Sequence, residues 1–167
     1  PRSTLFPYTT LFRSNQELLE ISLKIERDGK KFYSELAEKI NDKQVSEFFQ
    51  LMAREEALHE NQFKHMIESK SIDRYGWEED SALRKFIDKE FKTDIFPPTK
   101  EILDQFQLAG RINKALELAM DAERIVGEFF RLLHNSCEDI EIKTLLTILE
   151  KAEREHLERV KSFKSKF

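Results

Sequence analysis

Hydrophobic residues recur every three or four positions along most of the chain, and charged residues fill the positions between them. This spacing places the apolar side chains on one face of an α-helix and the charges on the opposite face. The first such stretch runs from about Asn15 to Ile40, and the second ends at about Ser69. Asn41 and Asp42 separate the two and are typical helix-capping residues. So short a turn predicts an antiparallel helical hairpin.

The same pattern returns in the second half of the chain. It predicts a third helix over about Ile112–Ser136 and a fourth over about Ile140–Phe163. Only a few residues separate these two stretches, so a second antiparallel hairpin is expected.

Residues 70–108, which join the two hairpins, have a different character. Gly76 and Pro97–Pro98 interrupt them, with short helical patterns at Ser81–Phe91 and Thr99–Phe106. A connection of this length allows the chain to cross from one end of a helical bundle to the other. The pattern therefore predicts an all-α fold, a four-helix bundle of two hairpins joined by one long crossover.

The two hairpins repeat one another at an offset of 97 positions. Such self-similarity indicates two copies of one structural unit. Structural pairs that recur are Leu19/Leu116, Phe32/Phe129, Leu36/Leu133 and Asp42/Asp139. Three further pairs consist of metal-ligand residue types: Glu26/Glu123, Glu56/Glu153 and His59/His156. Each hairpin thus offers one isolated glutamate and one Glu-x-x-His pair.

The four recurring glutamates lie on apolar helix faces, where an unpaired carboxylate is energetically expensive. Two divalent cations would cancel their four negative charges. The spacing of three residues within Glu-x-x-His places both side chains on one helical face. Oxygen and imidazole ligands without thiolate favour iron or manganese over structural zinc. The sequence therefore predicts a two-metal site with six ligands: Glu26, Glu56, His59, Glu123, Glu153 and His156.

Neighbouring residues of similar chemistry are separated from this set by the repeat. Glu55 also lies one turn from His59, but its counterpart is Ala152, and we interpret it as a solvated charge. His65 and His134 lack the spacing and are interpreted as surface or packing residues. Tyr33 lies two turns from Glu26 and is interpreted as a core tyrosine, the alternative being a donor of a hydrogen bond or an electron near the metals.

Composition limits the class of protein further. The chain has 167 residues, a net charge of −4 and one cysteine, Cys137. Its length is typical of one domain, and its acidity gives no electrostatic case for nucleic acid. The sequence has no apolar run near the roughly 20 residues that span a bilayer. A single cysteine excludes an internal disulfide and favours a reducing cytoplasmic location.

The segment Pro1–Ser14 needs a separate interpretation. Its sequence RSTLFPYTTLFRS shows no helical period and no acidic residue, and it looks like a one-frame translation of a common sequencing adapter. We interpret residues 1–14 as non-native and disordered, with a natural disordered tail as the alternative. Residues 15–167 are then the folded domain.

Four stretches of the chain resemble the ligand helices of the rubrerythrin branch of the ferritin-like diiron family. They are IERDGKKFYSEL, LMAREEALHENQF, ALELAMDAERIVGEFF and LEKAEREHLERV. The resemblance extends from Asn15 to the C-terminus. It implies a ferritin-like bundle with two iron ions, manganese being the alternative. It also implies that Glu56 and Glu153 bridge the metals, that Glu26 and Glu123 are terminal ligands, and that His59 and His156 supply nitrogen.

Such proteins use the diiron centre to react with hydrogen peroxide or dioxygen, so the resemblance implies a non-haem diiron oxidoreductase that reduces peroxide. The alternatives are a ferroxidase or iron-storage protein and a metal-free helical interaction module. Full-length rubrerythrins carry a four-cysteine iron site, whereas this sequence has Cys137 alone. Electrons are therefore expected to come from a separate protein or from incoming Fe(II). Rubrerythrins also carry an extra glutamate near the third ligand, where this chain has Met120 and Val126. The resemblance further suggests a homodimer.

Overall fold

The computed structural model describes residues 15–69, 76–77, 80–91 and 94–167. The interpretation of residues 1–14 as non-native lies outside the described residues. The helices are α1 Asn15–Lys39, α2 Lys43–Ser69, α3 Ser81–Glu90, α4 Thr99–Leu103, α5 Leu108–Ser136 and α6 Ile140–Lys164. The described part of the chain contains no β-strand, which confirms the all-α prediction.

Two helical hairpins form the bundle, since α1 packs along α2 and α5 packs along α6. Each hairpin turn is capped by the aspartate that the repeat preserves. Asp42 accepts a hydrogen bond from the backbone N–H of Val45 at 3.0 Å. Asp139 accepts from the N–H groups of Glu141 and Ile142 at 3.0 and 2.9 Å. These bonds satisfy backbone donors that have no partner within the helix, and they fix where α2 and α6 begin.

Helix α5 begins at Leu108, four residues before the predicted start at Ile112. Gln107 is extended, with φ −73° and ψ 168°, and its carbonyl accepts from the N–H of Arg111 at 2.8 Å. Ala109 is exposed and Gly110 and Arg111 are partly buried, whereas Ile112 is buried. The pattern of buried hydrophobic positions therefore gave no signal for residues 109–111.

The crossover lies along the bundle and carries α3 and α4. The Trp77 indole N–H donates to the carbonyl of Leu133 on α5 at 2.8 Å, and the indole is buried. Leu83 and Ile87 of α3 are buried as well. Thr99, at the start of α4, donates to the Glu35 carboxylate of α1 at 2.7 Å. The crossover is therefore tied to both hairpins.

Two apolar clusters fill the bundle, one towards each end. One contains Leu18, Ile25, Phe63, Phe129 and Leu149, among others. The other contains Tyr33, Leu36, Phe49, Leu116 and Val160, among others. Phe96 of the crossover packs against both clusters. The buried glutamates and histidines of the four long helices come together between the clusters. None of the described helices combines the length and apolar character required to cross a bilayer.

Candidate metal centre

The six predicted ligand side chains are all buried. Their exposed fractions are Glu26 0%, Glu56 4%, His59 8%, Glu123 2%, Glu153 1% and His156 1%. Helix α1 provides Glu26, α2 the first Glu-x-x-His, α5 Glu123 and α6 the second Glu-x-x-His. Four carboxylates buried together are unfavourable unless positive charge accompanies them.

The six residues form two overlapping groups, each able to surround one ion. One group is Glu26, Glu56, His59 and Glu153, and the other is Glu56, Glu123, Glu153 and His156. Within each group the ligand atoms lie within 4.8 Å of one another. Glu56 and Glu153 belong to both groups, so each can offer an oxygen to either ion. We call the two groups the His59 half and the His156 half.

In the His59 half, the imidazole Nδ1 points towards the carboxylates. It lies 3.2 Å from Oε2 of Glu26, 3.2 Å from Oε1 of Glu153 and 3.6 Å from Oε2 of Glu56.

The His156 half is arranged in the same way. Nδ1 of His156 lies 3.1 Å from Oε1 of Glu56 and 3.5 Å from both Oε2 of Glu123 and Oε2 of Glu153. The two imidazole rings are 5.5 Å apart between centroids and nearly parallel, at 22°. The pseudo-symmetry of the sequence is therefore present in the geometry of the site.

Several of these atoms are buried without a hydrogen-bond partner. They are Oε1 and Oε2 of Glu26, Nδ1 of His59, Oε2 of Glu123, Oε1 of Glu153 and Nδ1 of His156. Unsatisfied buried polar atoms are rare in folded proteins and call for a missing partner, such as an ion. All six atoms belong to the two groups, and oxygen with imidazole nitrogen is a donor set that iron and manganese accept. The residues therefore fit a two-metal centre.

The electrostatics of the site show the same need for positive charge. Burial, followed by repulsion from Glu153 and Glu56, raises the pKa of Glu26 well above its ordinary value. Burial and repulsion from Glu153 likewise raise the pKa of Glu123. Burial alone would lower the pKa of His59, but the carboxylates of Glu153, Glu26 and Glu56 raise it to about 12. Without a metal, protons on these groups supply the missing positive charge.

Tyr33 donates its phenolic hydrogen to Oε1 of Glu123 and is completely buried. Tyr33 is therefore both a core tyrosine of the second apolar cluster and a hydrogen-bond donor at the candidate metal centre. Burial and the negative charge of Glu123 raise the pKa of Tyr33 well above its ordinary value, so the phenol keeps its proton.

Glu55 is the residue that the sequence interpretation placed wrongly. It is a partly buried neighbour of the site, with 28% of its side chain exposed, and its Oε2 lies 2.9 Å from Nε2 of His156. Arg159 donates to both carboxylate oxygens of Glu55, at 3.1 and 2.5 Å. Burial alone raises the pKa of Glu55, but His156 and Arg159 lower it to about 2, so the carboxylate is ionised. The repeat hid this role because the counterpart of Glu55 is Ala152.

The other neighbours lie where the sequence placed them. His65 is exposed and His134 is partly buried, and neither joins the described ligand groups. A further neighbour, Glu60, is partly buried outside the ligand groups and accepts from Arg27 at 3.0 Å and from Lys30 at 3.4 Å.

A close approach of the crossover covers the site beside α1. A Cβ added at Gly29 would lie 3.1 Å from the Phe96 ring and 3.5 Å from the carboxyl carbon of Glu56. Glycine at this position therefore leaves room for the Phe96 ring and for the Glu56 carboxylate.

The fold and the site together define a helical-bundle protein with a buried carboxylate and histidine centre suited to two metal ions. The family model described as rubrerythrin matches residues 17–164. The chain belongs to the rubrerythrin family, as the resemblance of its four ligand helices indicated.

Solved structures support the same fold. A protein of Thermotoga maritima described as ferritin-like and diiron-carboxylate has a TM-score of 0.65 and 21% identity, with 89% of this chain and 93% of that chain covered. A hypothetical protein of Pyrococcus furiosus has a TM-score of 0.62 and 24% identity, with 92% of this chain and 89% of that chain covered. At these identities the likeness establishes the ferritin-like fold. A search of curated proteins finds no significant match.

Proposed function

We propose that the protein is a non-haem diiron oxidoreductase that reduces hydrogen peroxide. The observation that carries the proposal is the convergence of six buried ligand residues, five of which have side-chain atoms without a hydrogen-bond partner. Family membership makes iron the preferred metal, with manganese as the alternative. We assign Glu56 and Glu153 as the shared ligands because they belong to both groups.

When bound, two Fe(II) ions supply the two electrons that reduce the O–O bond of peroxide, and the redox chemistry belongs to the metal. The residues of the chain balance the charge of the metal ions, hold protons at the ligands and exclude water. Four carboxylates balance two divalent cations, so the loaded centre is close to neutral inside the apolar bundle. The Tyr33 hydroxyl fixes one oxygen of Glu123 and holds a proton at that ligand. Apolar clusters above and below the ligand layer exclude bulk water from it.

A surface groove gives small molecules a route to the ligand layer. It has a volume of about 450 Å³, lies between α3, α5 and α6, and includes Phe86, Arg124, Gly127 and the ligand Glu123 in its lining. Peroxide and dioxygen are small enough for such a route. The groove therefore supports a centre that reacts with a small oxidant.

A ferroxidase or iron-storage function is the second candidate. Met120 and Val126 lie one turn to either side of Glu123, and Val126 is buried while Met120 is partly buried. The described centre is thus the symmetric six-ligand arrangement, with no additional carboxylate at these two positions. This composition favours simple oxidation of Fe(II) as the rival chemistry.

The proposed partners are a separate electron-donor protein and a second copy of the chain, in a reducing cytoplasm. Leu51 and Leu58 of α2 are exposed at 44% and 60%, which leaves apolar surface for association. Sedimentation velocity tests the homodimer, and a monomer at micromolar concentration would contradict it.

The function is tested by loading the protein anaerobically with Fe(II) and mixing it separately with stoichiometric peroxide and with O₂. Stopped-flow absorbance follows oxidation of the iron. We expect faster oxidation by peroxide, continued turnover when a reductant is added, and loss of both in E56A. E60A removes a carboxylate from the same helix outside the ligand groups and should behave as wild type. Faster oxidation by O₂, with growth of a mineral core, would establish the ferroxidase candidate instead.

A further inference from the structure

We propose that the two halves of the centre bind metal unequally, with the His156 half binding more tightly and the His59 half exchanging its ion more readily. The inference rests on the proposed function, because it assumes that the six residues are metal ligands. It arises from supporting contacts that the repeat does not preserve.

The first difference between the two halves is in the contacts that support the ligand histidines. Glu55 lies 2.9 Å from Nε2 of His156, a separation at which a protonated Nε2 donates to the carboxylate. In the neutral imidazole this bond places the proton on Nε2, so that Nδ1, which is turned towards the ligand groups, is free to bind an ion. Arg159 holds Glu55 in place through two hydrogen bonds. The Arg159–Glu55 pair is thus a positioning device for the His156 ring.

The repeat does not supply His59 with an equivalent pair at the corresponding positions. The residues that correspond to Glu55 and Arg159 are Ala152 and Gln62, and neither side chain carries a charge. The imidazole of His59 is also more exposed, at 10% of its side chain against 1% for His156.

The second unequal support is at the terminal carboxylates. Tyr33 donates to Oε1 of Glu123, so only Oε2 of that carboxylate is without a partner. The counterpart of Tyr33 is Phe130, which has no hydroxyl to offer Glu26. Both oxygens of Glu26 accordingly lack a hydrogen-bond partner. Both supports therefore act on ligands of the His156 half.

Supports of this kind change metal affinity by a known amount. A carboxylate that accepts from a metal-bound histidine fixes the tautomer and ring orientation, and its loss typically weakens binding by about 10- to 100-fold. A preorganised ligand also loses less conformational freedom when the ion binds. We therefore expect the dissociation constants of the two halves to differ by at least about tenfold.

The test is an anaerobic titration of the metal-free protein with Co(II), followed by calorimetry and by the visible absorbance of the bound ion. Wild type should show two steps separated by about tenfold or more. E26Q should abolish the weaker step and E123Q the tighter one, which assigns each step to its half. E55A and Y33F should weaken the tighter step by about 10- to 100-fold and leave the weaker step unchanged. The matched control E60A should leave both steps unchanged.

A gain of affinity gives a readout that a purely structural role of Glu55 would not produce. The double variant A152E/Q62R transfers the supporting pair to the positions that correspond to it in the other half of the repeat. It should tighten the weaker step and leave the other unchanged. Circular dichroism of the metal-free variants checks their folding. If E55A does not fold, the inference is still tested by Y33F and by the comparison of E26Q with E123Q.

Two equal steps in wild type, or an equal loss from both steps in E55A and Y33F, would overturn the inference while leaving the two-metal centre intact. A wild-type protein that binds no Co(II) would instead contradict the proposed function itself. The two failures are therefore distinguishable in one titration.

Discussion

Replacing Glu26 by glutamine should have opposite effects on the metal-free and metal-loaded proteins. Glu26 is completely buried, and neither of its carboxylate oxygens has a hydrogen-bond partner. Burial and the charges of Glu153 and Glu56 raise its pKa well above the ordinary value of 4.5. In the metal-free protein the carboxyl group must therefore be protonated, or remain a buried charge that only protons on neighbouring groups such as His59 offset. E26Q removes this cost and keeps the shape of the side chain.

The size of the effect follows from the cost of protonation. A carboxyl group whose ordinary pKa is 4.5 requires about 3 kcal/mol to hold its proton at pH 7, because the 2.5 pH units between them are worth about 1.4 kcal/mol each. This figure is an upper limit, since the amide must also find partners, and the neighbouring carboxylates can accept from it. E26Q should therefore stabilise the metal-free protein by about 1–3 kcal/mol, which raises its Tm by roughly 2–12 °C.

The metal-loaded protein should respond in the opposite direction. A ligand present at 100 times its dissociation constant stabilises the folded state by about 2.7 kcal/mol, and E26Q forfeits that gain at the half it disables. The assay is thermal denaturation followed by circular dichroism, first with chelator and then with excess Mn(II). E60Q, which changes a glutamate that lies outside the ligand groups and is paired with Arg27 and Lys30, should alter both melting temperatures by little. A lower melting temperature for E26Q in chelator would refute the reasoning, because it would show that Glu26 stabilises the fold without metal.

Three further predictions concern protonation and the crossover. Metal affinity should rise with pH. The pKa of His59 is raised to about 12 in the metal-free protein, and its proton must leave when Nδ1 binds an ion. An affinity that does not change between about pH 6 and pH 8 would contradict this prediction. W77F should destabilise the fold by about 1–3 kcal/mol in urea denaturation, because it leaves the buried Leu133 carbonyl without the indole donor. An unchanged denaturation midpoint would show that this bond does not hold the crossover. G76A should lower the free energy of unfolding by at least about 1 kcal/mol in the same assay, because Gly76 has φ +88° and a Cβ there would lie 2.5 Å from the carbonyl oxygen of Ser136. A stability equal to that of wild type would contradict the strained geometry.

The sequence predicted the features that depend on regular spacing. The apolar face of α1, which includes Leu18, Ile25 and Leu36, is buried as the spacing predicted. The repeat selected six residues that the structure brings together in two groups. Both results follow from the period of the α-helix, which converts spacing along the chain into a shared face. Residues 109–111 of α5 are not buried and show no such pattern, so the start of the helix at Leu108 was missed.

Features that break the repeat could not be found by relying on it. Glu55 and Arg159 are 104 positions apart, and they meet only because α2 packs beside α6. A signal did exist, since both residues depart from the repeat with opposite charges, at positions where their counterparts are Ala152 and Gln62. Paired departures of this kind indicate where the two halves of a duplicated site differ.

The most direct test of the central claim is the metal content of the protein after anaerobic loading with Fe(II) and desalting. We predict about two iron ions per chain, as a pair of four-residue groups sharing Glu56 and Glu153 requires. The E56A/E153A double variant removes both shared ligands and should retain almost no iron. Wild-type protein that retains no iron, or a double variant that retains as much as wild type, would contradict the assignment of these residues as a diiron centre.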